Sequence, residues 1–294
     1  MHFDLPDLRL IAAIAETGSL SKAAASFPVA VSAASTRLRQ FEERSGLTLF
    51  TRKADGMQLT PTGRLVLESA RSVLGEARKL DDTLKELAGQ KRITLHVAAS
   101  TVTNSTILPT VLGPFLFDYP EIDLHLVEHK SVDILRMVRS GDCEIGVYDG
   151  NLVNEGVVSV PFRTERLVLL VSMDHPLAER ERLFLHDALD YPFVCLPPER
   201  AMQRFVEEKA QSLSMPLKIR VRAPGFEAIA QLVAQRAGIA MLPETTAKRL
   251  EQELPVRWVA LEERWATLEL RICFRQWEGL SSHGRQLVSF LSES

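Results

Sequence analysis

An unbroken heptad seam is the sequence feature that most constrains how this chain can fold. From Pro61 to Gly89, apolar residues recur at alternating steps of four and three, which is the spacing of a coiled coil. Pro61 suits the first turn of a helix, and Gly89 suits its end. We expect a helix over 61–89 that pairs two subunits, with packing inside its own subunit as the alternative. The seam comprises Val66, Ala70, Val73, Ala77, Leu80, Leu84 and Leu87, and the predicted dimer contacts are Val66, Val73, Leu80, Leu84 and Leu87.

Length and composition favour an ordinary two-domain globular protein. The chain has 294 residues, of which 46% are hydrophobic and 25% charged, enough apolar material for complete cores. The N-terminus is acidic where a secretory signal would be basic, and no apolar run approaches the length of a membrane span. Three widely spaced cysteines indicate neither a disulfide framework nor a metal site. These features predict a cytoplasmic protein with no membrane segment, metal or cofactor.

Charge is balanced overall but not locally. The net charge is −3, whereas residues 20–65 contain seven basic and three acidic side chains. A basic region inside an acidic protein is where a DNA contact is expected. On charge alone, a solvated surface explains the same excess and is the favoured alternative.

The first sixty residues predict three helices followed by a β-hairpin. Leu8, Ile11 and Ile14 have helical spacing, and Gly18 reads as a stop. An Asp-Gly pair supplies turn chemistry for the hairpin. Further elements are a second helix over Lys22–Phe27, capped by Ser19–Ser21 and ended by Pro28; a third over Val31–Ser45, stopped by Gly46; and strands over Leu47–Phe50 and Met57–Thr60, joined through Asp55-Gly56.

The third helix has two distinct faces. At 100° per residue, Ala34, Leu38 and Phe41 form one apolar stripe. The opposite face is small and polar at its start and then basic or amide-bearing, with Ser32, Thr36, Arg39 and Gln40. A recognition helix needs short polar groups near the base edges and cations that anchor phosphates. The alternative is the solvent-facing side of any small bundle.

Beyond Lys91, strand and helix patterns alternate. This alternation predicts a mainly parallel sheet covered by helices. The predicted strands are Ile93–Ala98, Ile122–Glu128, Ile145–Tyr148, Leu167–Ser172, Phe193–Leu196, Leu217–Val221, Ile239–Leu242 and Leu268–Phe274, and helices are expected at Ile107–Phe117, Ser131–Ser140 and Phe226–Arg236.

Six short motifs lie in order between Leu8 and Gly63. They are Glu16–Ser21, Ala23-Ala24, Ser32–Ser35, Leu38 with Phe41-Glu42, Leu49–Arg52 and Leu59–Gly63. Each motif is weak alone, but their order and spacing together are specific, and with them the stretch resembles the winged helix-turn-helix of LysR-type transcriptional regulators. The resemblance implies binding to double-stranded DNA with a dyad-symmetric site. The implied DNA-binding residues are Val31, Ser32, Ser35, Thr36, Arg37, Arg39, Arg52 and Lys53.

The resemblance extends over nearly the whole chain. Matching pieces are Leu108-Pro109, Phe115, Tyr119-Pro120, Gly141–Val147, Asp174–Ala178 and Ala237–Pro243. The implied fold is α/β with an N-terminal all-α winged helix-turn-helix, a long linker helix and a two-lobed, periplasmic-binding-protein-like effector domain. The expected domains are 1–60 for DNA binding, 61–89 for dimerisation and 90–294 for effector binding, with lobe I at 90–162 and 268–294 and lobe II at 163–267.

Three positions in the DNA-binding region depart from the family pattern. Ala30-Val31 stands where the family commonly has Ser or Thr followed by Gln, and Thr36 stands where Arg is frequent. An amide that reads adenine and a hydroxyl cap are therefore both missing at the start of the helix. DNA binding is still expected, but no base preference is carried over from the family.

Effector contacts are expected at strand ends. The hydroxyls after the first strand precede a helix N-terminus that favours an anion, although ordinary capping explains them equally well. If His129 and Lys130 face the cleft, they favour a carboxylate-bearing effector. Cys195 is expected to be a buried structural thiol rather than a redox sensor. The predicted effector-binding residues are Ser100, Thr101 and Thr103 after the first strand and, as the resemblance to the family implies, Ser131, Leu196, Pro198 and Phe226.

The sequence therefore predicts a regulator rather than an enzyme. A homodimer or homotetramer would bind DNA under the control of a small, anionic metabolite, with RNA polymerase as a further candidate partner. The alternative is a cytoplasmic solute-binding module, or an enzyme of similar fold, without a DNA-directed role. No nucleophile–base motif, phosphate-binding loop or paired-acid motif favours an enzyme.

Overall fold

The structure is a computed structural model. It describes residues 3–293 except 26, 28, 29, 54, 55, 89–91, 151, 153 and 155. The chain divides into two compact units. The first consists of residues 1–93 with 137–143, and the second consists of residues 94–136 with 144–294.

Three helices, a hairpin and a long helix form the first unit. Asp4 and Asp7 close a capping box at the start of the first helix, and Gly18 ends this helix with a left-handed φ of 61°, which glycine adopts without strain. The elements are α1 (Leu5–Thr17), α2 (Leu20–Ala25), α3 (Val31–Ser45), β1 (Phe50–Lys53), β2 (Gly56–Leu59) and α4 (Pro61–Leu87).

The faces of α3 are as predicted. Ala34, Leu38 and Phe41 are buried and pack with Ile14 of α1 and Leu49 before β1. The helix bounds are also as predicted, and Gly46 ends α3 in the left-handed conformation.

The second helix and the hairpin differ from the prediction. Helix α2 begins two residues earlier and ends two residues earlier than expected. Strand β1 begins at Phe50, because the residues before it lead from α3 into the hairpin. Among them, Thr48 accepts a hydrogen bond from the Thr60 hydroxyl through its carbonyl oxygen. The predicted helix end at Pro28 and turn residue Asp55 lie outside the described residues.

The heptad seam of α4 has two environments. Ala70 is buried and Val66 half-buried, both packed with the core of the first unit. By contrast, Val73, Leu80 and Leu84 are 41%, 61% and 56% exposed. The start of the seam therefore belongs to its own subunit's core, which heptad spacing alone could not reveal. The predicted end at Gly89 lies outside the described residues.

A large sheet, a separate pair of parallel strands and the helices around them form the second unit. Its strands are β3 (Ile93–Ala99), β4 (Ile122–Glu128), β5 (Ile145–Asp149), β6 (Val158–Ser172), β7 (Arg182–Leu183), β8 (Pro192–Cys195), β9 (Lys218–Arg222), β10 (Ala240–Pro243), β11 (Val256–Leu261) and β12 (Thr267–Phe274). Its helices are α5 (Leu108–Asp118), α6 (Ser131–Ser140), α7 (Leu185–Ala188), α8 (Ala201–Ser212), α9 (Phe226–Ala234), α10 (Glu244–Glu253) and α11 (Ser282–Glu293).

The prediction of a mainly parallel sheet is wrong, because the sheet is mixed. Strand order is β4-β3-β5-β12-β6-β11-β7, and β10 also pairs with β6. β12 is antiparallel to β5 and β6, and β6 is antiparallel to β10 and β11. Strand–helix alternation makes neighbours parallel only where a helix returns the chain across the sheet, as between β3 and β5. The long strand β6 instead connects two halves of the sheet, because its residues 158–166 pair with β12 and its residues 167–172 pair with β10 and β11.

Two apolar cores accompany these two halves. One gathers Leu95, Phe115, Ile145 and Leu287. The other gathers the second half of β6 with Phe193, Ile229 and Leu242, and it extends to Val102 and Ile107 ahead of α5. This is the two-lobed arrangement expected of the α/β portion.

Candidate nucleic-acid interface and ligand cavity

Helix α3 presents a polar face to solvent. Ser32, Thr36, Arg39 and Gln40 are exposed, whereas Ser35 is half-buried. Val31 is 45% exposed, and Ala30 before it provides no side-chain cap. The exposed face thus carries short side chains at the N-terminal end of α3 and longer ones, a cation and an amide, further along. This geometry permits close approach of the helix to a DNA groove.

Arg37 differs from the other predicted contacts, because carboxylates of its own subunit hold it. Its Nε donates to Asp7 Oδ1 at 2.7 Å, and its terminal nitrogen donates to Asp4 Oδ1 at 2.6 Å. Arg44 also donates to Asp7, at 2.9 Å. The hydrogen bond from Arg37 lowers the pKa of Asp4, and the bond to Asp4 raises the pKa of Arg37. Asp7, only 3% exposed, therefore ties α3 to α1.

The hairpin beside α3 carries the predicted wing cations. Arg52 and Lys53 are exposed on β1. The start of β1 is held to α3 because Glu42 Oε1 accepts the Leu49 amide at 2.6 Å and the Phe50 amide at 3.3 Å. These hydrogen bonds therefore hold α3, which presents the polar face, and the hairpin, which presents the wing cations, together.

The predicted DNA-binding residues did not include Gln40 and Arg44. A shallow cavity of about 460 Å³ on α3 is lined by Asp7, Ser32, Ala33, Thr36, Arg37, Gln40 and Arg44. Gln40 already stood on the polar side of the helical projection. Arg44 had no comparable signal, because its partner Asp7 is 37 residues away in the chain.

A larger cavity of about 580 Å³ lies in the second unit. Ser100, Thr101 and Ser131, three of the predicted effector contacts, line it together with Lys130. The remaining lining residues are Val102, Val132, Asp149, Leu152, Leu167, Ala201, Met202, Phe205, Glu208, Lys209, Ser212, Arg264, Trp265 and Leu268. This volume is typical of a small-molecule site.

The predicted hydroxyls already make hydrogen bonds within the protein. Thr101 donates to Glu128 Oε1 at 2.5 Å and accepts the Met202 amide at 3.1 Å. Ser131 accepts the Asp149 amide at 3.1 Å, which leaves its own proton to donate. Both side chains thus hold the cavity wall in place through residues distant in the chain, rather than by capping the helices that follow them.

Four predicted effector contacts lie elsewhere. Thr103 is fully buried and hydrogen-bonds Ser100 at 3.0 Å. Leu196 and Phe226 are 2% and 4% exposed within an apolar core, and Pro198 is exposed at the surface rather than in the cavity lining. Helix α8 begins after the Leu196–Pro198 loop, and its side chains occupy the wall that those residues were expected to form. His129 is half-buried and does not line the cavity either.

Aromatic and basic side chains that sequence reasoning missed dominate one wall. The rings of Phe205 and Trp265 meet edge-to-face at 5.7 Å, and Lys209 Nζ lies 5.1 Å and 5.9 Å from their centres. Lys130, which lines the same cavity, pairs with Glu208 of α8 at 2.5 Å. Met202, Phe205 and Lys209 share one face of α8, and their helical spacing can be read from the sequence. The proximity of this face to Trp265 cannot.

Cys195 is buried, as expected of a structural thiol, and burial raises its pKa to about 11. The thiolate is the reactive form. We predict that iodoacetamide modifies folded Cys195 at pH 7 about 100-fold more slowly than an unperturbed thiol, since roughly two pKa units separate them. Mass spectrometry of timed reactions, with urea-unfolded protein as the control, measures this ratio. Equal rates in the folded and unfolded protein would contradict the assignment.

The part of the chain that the structure describes contains neither a helix able to span a membrane nor a cluster of metal-ligating side chains. None of the helices in that part of the chain combines the length and hydropathy of a membrane span. Nor do three or more His, Cys, Asp or Glu side chains meet there in a group able to hold a metal ion.

A helical domain with an exposed polar helix, together with a two-lobed α/β domain enclosing a small-molecule cavity, defines a ligand-responsive DNA-binding regulator. Family models agree over both parts. "Bacterial regulatory helix-turn-helix protein, lysR family" matches residues 5–64, and "LysR substrate binding domain" matches residues 88–294. The chain belongs to the LysR family of transcriptional regulators, as its sequence motifs predicted.

Curated relatives are similar over most of their length. A "Probable RuBisCO transcriptional regulator" of Synechocystis sp. is 26% identical, over 88% of this chain and 76% of the relative. The "RuBisCO operon transcriptional regulator" of Allochromatium vinosum is 27% identical, over 98% and 92%. A "Hydrogen peroxide-inducible genes activator" of Pectobacterium carotovorum is 24% identical, over 99% and 96%. These relatives are named as regulators, not enzymes.

Solved structures share the fold. CbnR, a LysR family transcriptional regulator, has a TM-score of 0.63 at 18% identity, with 99% of each chain covered. Its complex with target DNA gives a TM-score of 0.58 at 18% identity, covering 99% of this chain and 98% of that one. Full-length BenM gives 0.54 at 20% identity, covering 99% and 96%.

Proposed function

We propose that the exposed face of α3 and the β1–β2 wing bind double-stranded DNA at a dyad-symmetric site. The single observation that carries this proposal is the solvent-facing row Ser32, Thr36, Arg39 and Gln40 on a helix whose other side is buried. Short side chains at its start allow the backbone near base edges, and Arg39 with the wing cations neutralises phosphates. Val31 and Ser35 border the same surface, whereas Arg37 acts through Asp4 and Asp7 to position the helix.

The second half of the α4 seam supports pairing of two subunits. Val73, Leu80 and Leu84 present an apolar stripe that its own chain leaves exposed. Leu87 continues the seam in sequence. Two-fold pairing through this stripe matches a dyad-symmetric DNA site with half-sites separated by whole turns. The protein is therefore proposed to act as a homodimer or homotetramer.

The cavity of the second unit supports a small anionic effector. Lys130, Lys209 and Arg264 line it, against two carboxylates, Asp149 and Glu208. An effector that prefers one arrangement of the lobes shifts the population of that arrangement. Its binding is then coupled to DNA binding by a reciprocal free energy. Transcriptional output through RNA polymerase would follow from this coupling.

The test compares two substitutions in a mobility-shift assay across a salt series. Arg52→Ala should weaken binding to all DNA sequences by roughly fivefold and reduce the salt slope by about 0.9, since one phosphate contact is lost. Thr36→Ala should instead change the preference among site variants and leave the slope unaltered.

Arg257→Ala is the matched control, because it removes an equally exposed arginine from the second unit. It should leave both affinity and salt slope as in the unmodified protein. If Arg52→Ala behaves like this control, the wing does not bind DNA.

A further inference from the structure

We propose that the cavity of the second unit takes a monocarboxylate with a flat apolar body, and that this ligand's carboxylate replaces Glu208 as the partner of Lys130. The proposal rests on the effector role given above for the same cavity. It adds the chemical class of the effector and the contact that the effector exchanges.

The apolar part of the ligand is indicated by the aromatic wall. Phe205 and Trp265 meet edge-to-face, with ring centres 5.7 Å apart at an angle of 75°. Both rings are half-buried and both line the cavity, so parts of their surfaces remain for a ligand. A third ring can join such a pair in an offset or edge-to-face arrangement. The neighbouring apolar lining is Val102, Leu167, Met202 and Leu268.

The charged part is indicated by two lysines at the edge of this apolar wall. Lys209 Nζ lies 5.1 Å from the Phe205 ring centre and 5.9 Å from that of Trp265, so its ammonium is held beside the rings by cation–π attraction. Lys130 lines the same cavity at the N-terminal end of α6. A ligand lying on the rings therefore has ammonium groups available for a carboxylate, and charge-assisted bonds of this kind are strong.

The exchange follows from the environment of Glu208. Its carboxylate pairs with Lys130 at 2.5 Å, yet its side chain is 62% exposed, against 33% for Lys130. An exposed pair contributes little, because water solvates the carboxylate almost as well. A ligand carboxylate inside the cavity is less screened, so Lys130 can change partners while Glu208 turns to solvent. Removing the charge of Glu208 should thus strengthen ligand binding, whereas removing that of Lys130 should weaken it.

Isothermal titration of the full chain with four probes tests the ligand class. The probes are phenylacetate, the neutral isostere phenylacetamide, cyclohexylacetate and acetate. Phenylacetate should bind at least about tenfold more tightly than phenylacetamide and than acetate, and more tightly than cyclohexylacetate, whose ring is not flat. Equal binding of phenylacetamide, or equal binding of acetate, would overturn the class.

Variants test the exchange. Glu208→Gln should raise phenylacetate affinity about threefold, and Lys130→Gln and Lys209→Gln should each lower it fivefold or more. Lys130→Arg, which keeps the charge, should restore binding to within about threefold. The matched control pair is Lys218 of β9 with Asp190, which are bridged at 2.8 Å outside the cavity lining, so Lys218→Gln and Asp190→Asn should leave the affinity unchanged. A loss of affinity in Glu208→Gln would show that Glu208 holds the ligand rather than competing with it.

A parallel mobility shift of the unliganded protein on its own upstream DNA separates the two possible failures. If the DNA shifts but none of the acids binds, the ligand class is wrong and the regulator remains. If phenylacetate binds but the DNA does not shift at low salt, the DNA-binding proposal fails and the ligand class stands.

Discussion

Leu80→Glu together with Leu84→Glu is expected to convert the protein to monomers and to reduce its affinity for a dyad-symmetric site at least 100-fold. The two leucines are 61% and 56% exposed within the subunit, and full burial of a leucine stabilises by about 1.5–3 kcal/mol. Two such side chains from each of two subunits supply several kcal/mol of association. Glutamates in their place would bury unpaired charge at a helix seam.

Sedimentation velocity measures the oligomeric state, and a mobility shift measures the affinity. Leu65→Glu is the matched control, because Leu65 lies on the same helix at 68% exposure but outside the heptad seam. It should leave a dimer or tetramer intact. A double variant that sediments like the unmodified protein would show that the seam does not pair subunits.

Asp7→Ala is expected to lower the free energy of unfolding of the first unit by about 3 kcal/mol. The Asp7 carboxylate is 3% exposed and accepts from Arg37, Arg44 and the Asp4 amide. Hydrogen bonds to charged groups contribute about 1.5–3 kcal/mol each and are not additive. Since the arginines remain 40% and 46% exposed, water compensates part of the loss. DNA affinity should fall as well, because α3 loses its attachment to α1.

During urea unfolding, tryptophan fluorescence reports the second unit, whereas far-ultraviolet circular dichroism reports the helices of both units. All three tryptophans, Trp258, Trp265 and Trp277, belong to the second unit. Asp7→Ala should therefore shift the far-ultraviolet circular dichroism transition and leave the tryptophan fluorescence transition in place. Glu16→Ala is the control: Glu16 is 65% exposed, its pair with Arg71 is long at 3.7 Å, and its loss should cost under about 0.5 kcal/mol. A shifted fluorescence transition, or an unshifted dichroism transition, would contradict the assignment.

The local elements of the first unit were largely predictable. The bounds of α3 and its buried stripe follow from helical periodicity and from the glycine after Ser45, which are properties of neighbouring residues. The engagement of Arg37 by Asp4 and Asp7 was not predictable, because residues about thirty positions apart meet only when α1 packs on α3.

In the cavity, too, some lining residues were predictable from the sequence and others were not, and the contrast is larger than in the first unit. The hydroxyls at the end of β3 were expected at a ligand site because they follow a strand and precede a helix N-terminus that favours an anion, and two of them line the cavity. The aromatic and basic wall from α8 was missed, and the residues of the preceding loop were chosen instead. The direction of a side chain depends on how its helix packs, which one-dimensional spacing does not specify.

By itself, the sequence determined the family, the order of helical and α/β portions, and which side of α3 and of α4 is apolar. Those properties depend on motifs, periodicity and caps within a few turns of chain. The tertiary structure alone decided that the sheet is mixed, that the α4 seam is buried at its start and open further on, and that Lys130 faces Glu208 across 78 positions of sequence. Each of these depends on distant segments coming together, and the energy of such contacts is set by geometry that no local pattern encodes.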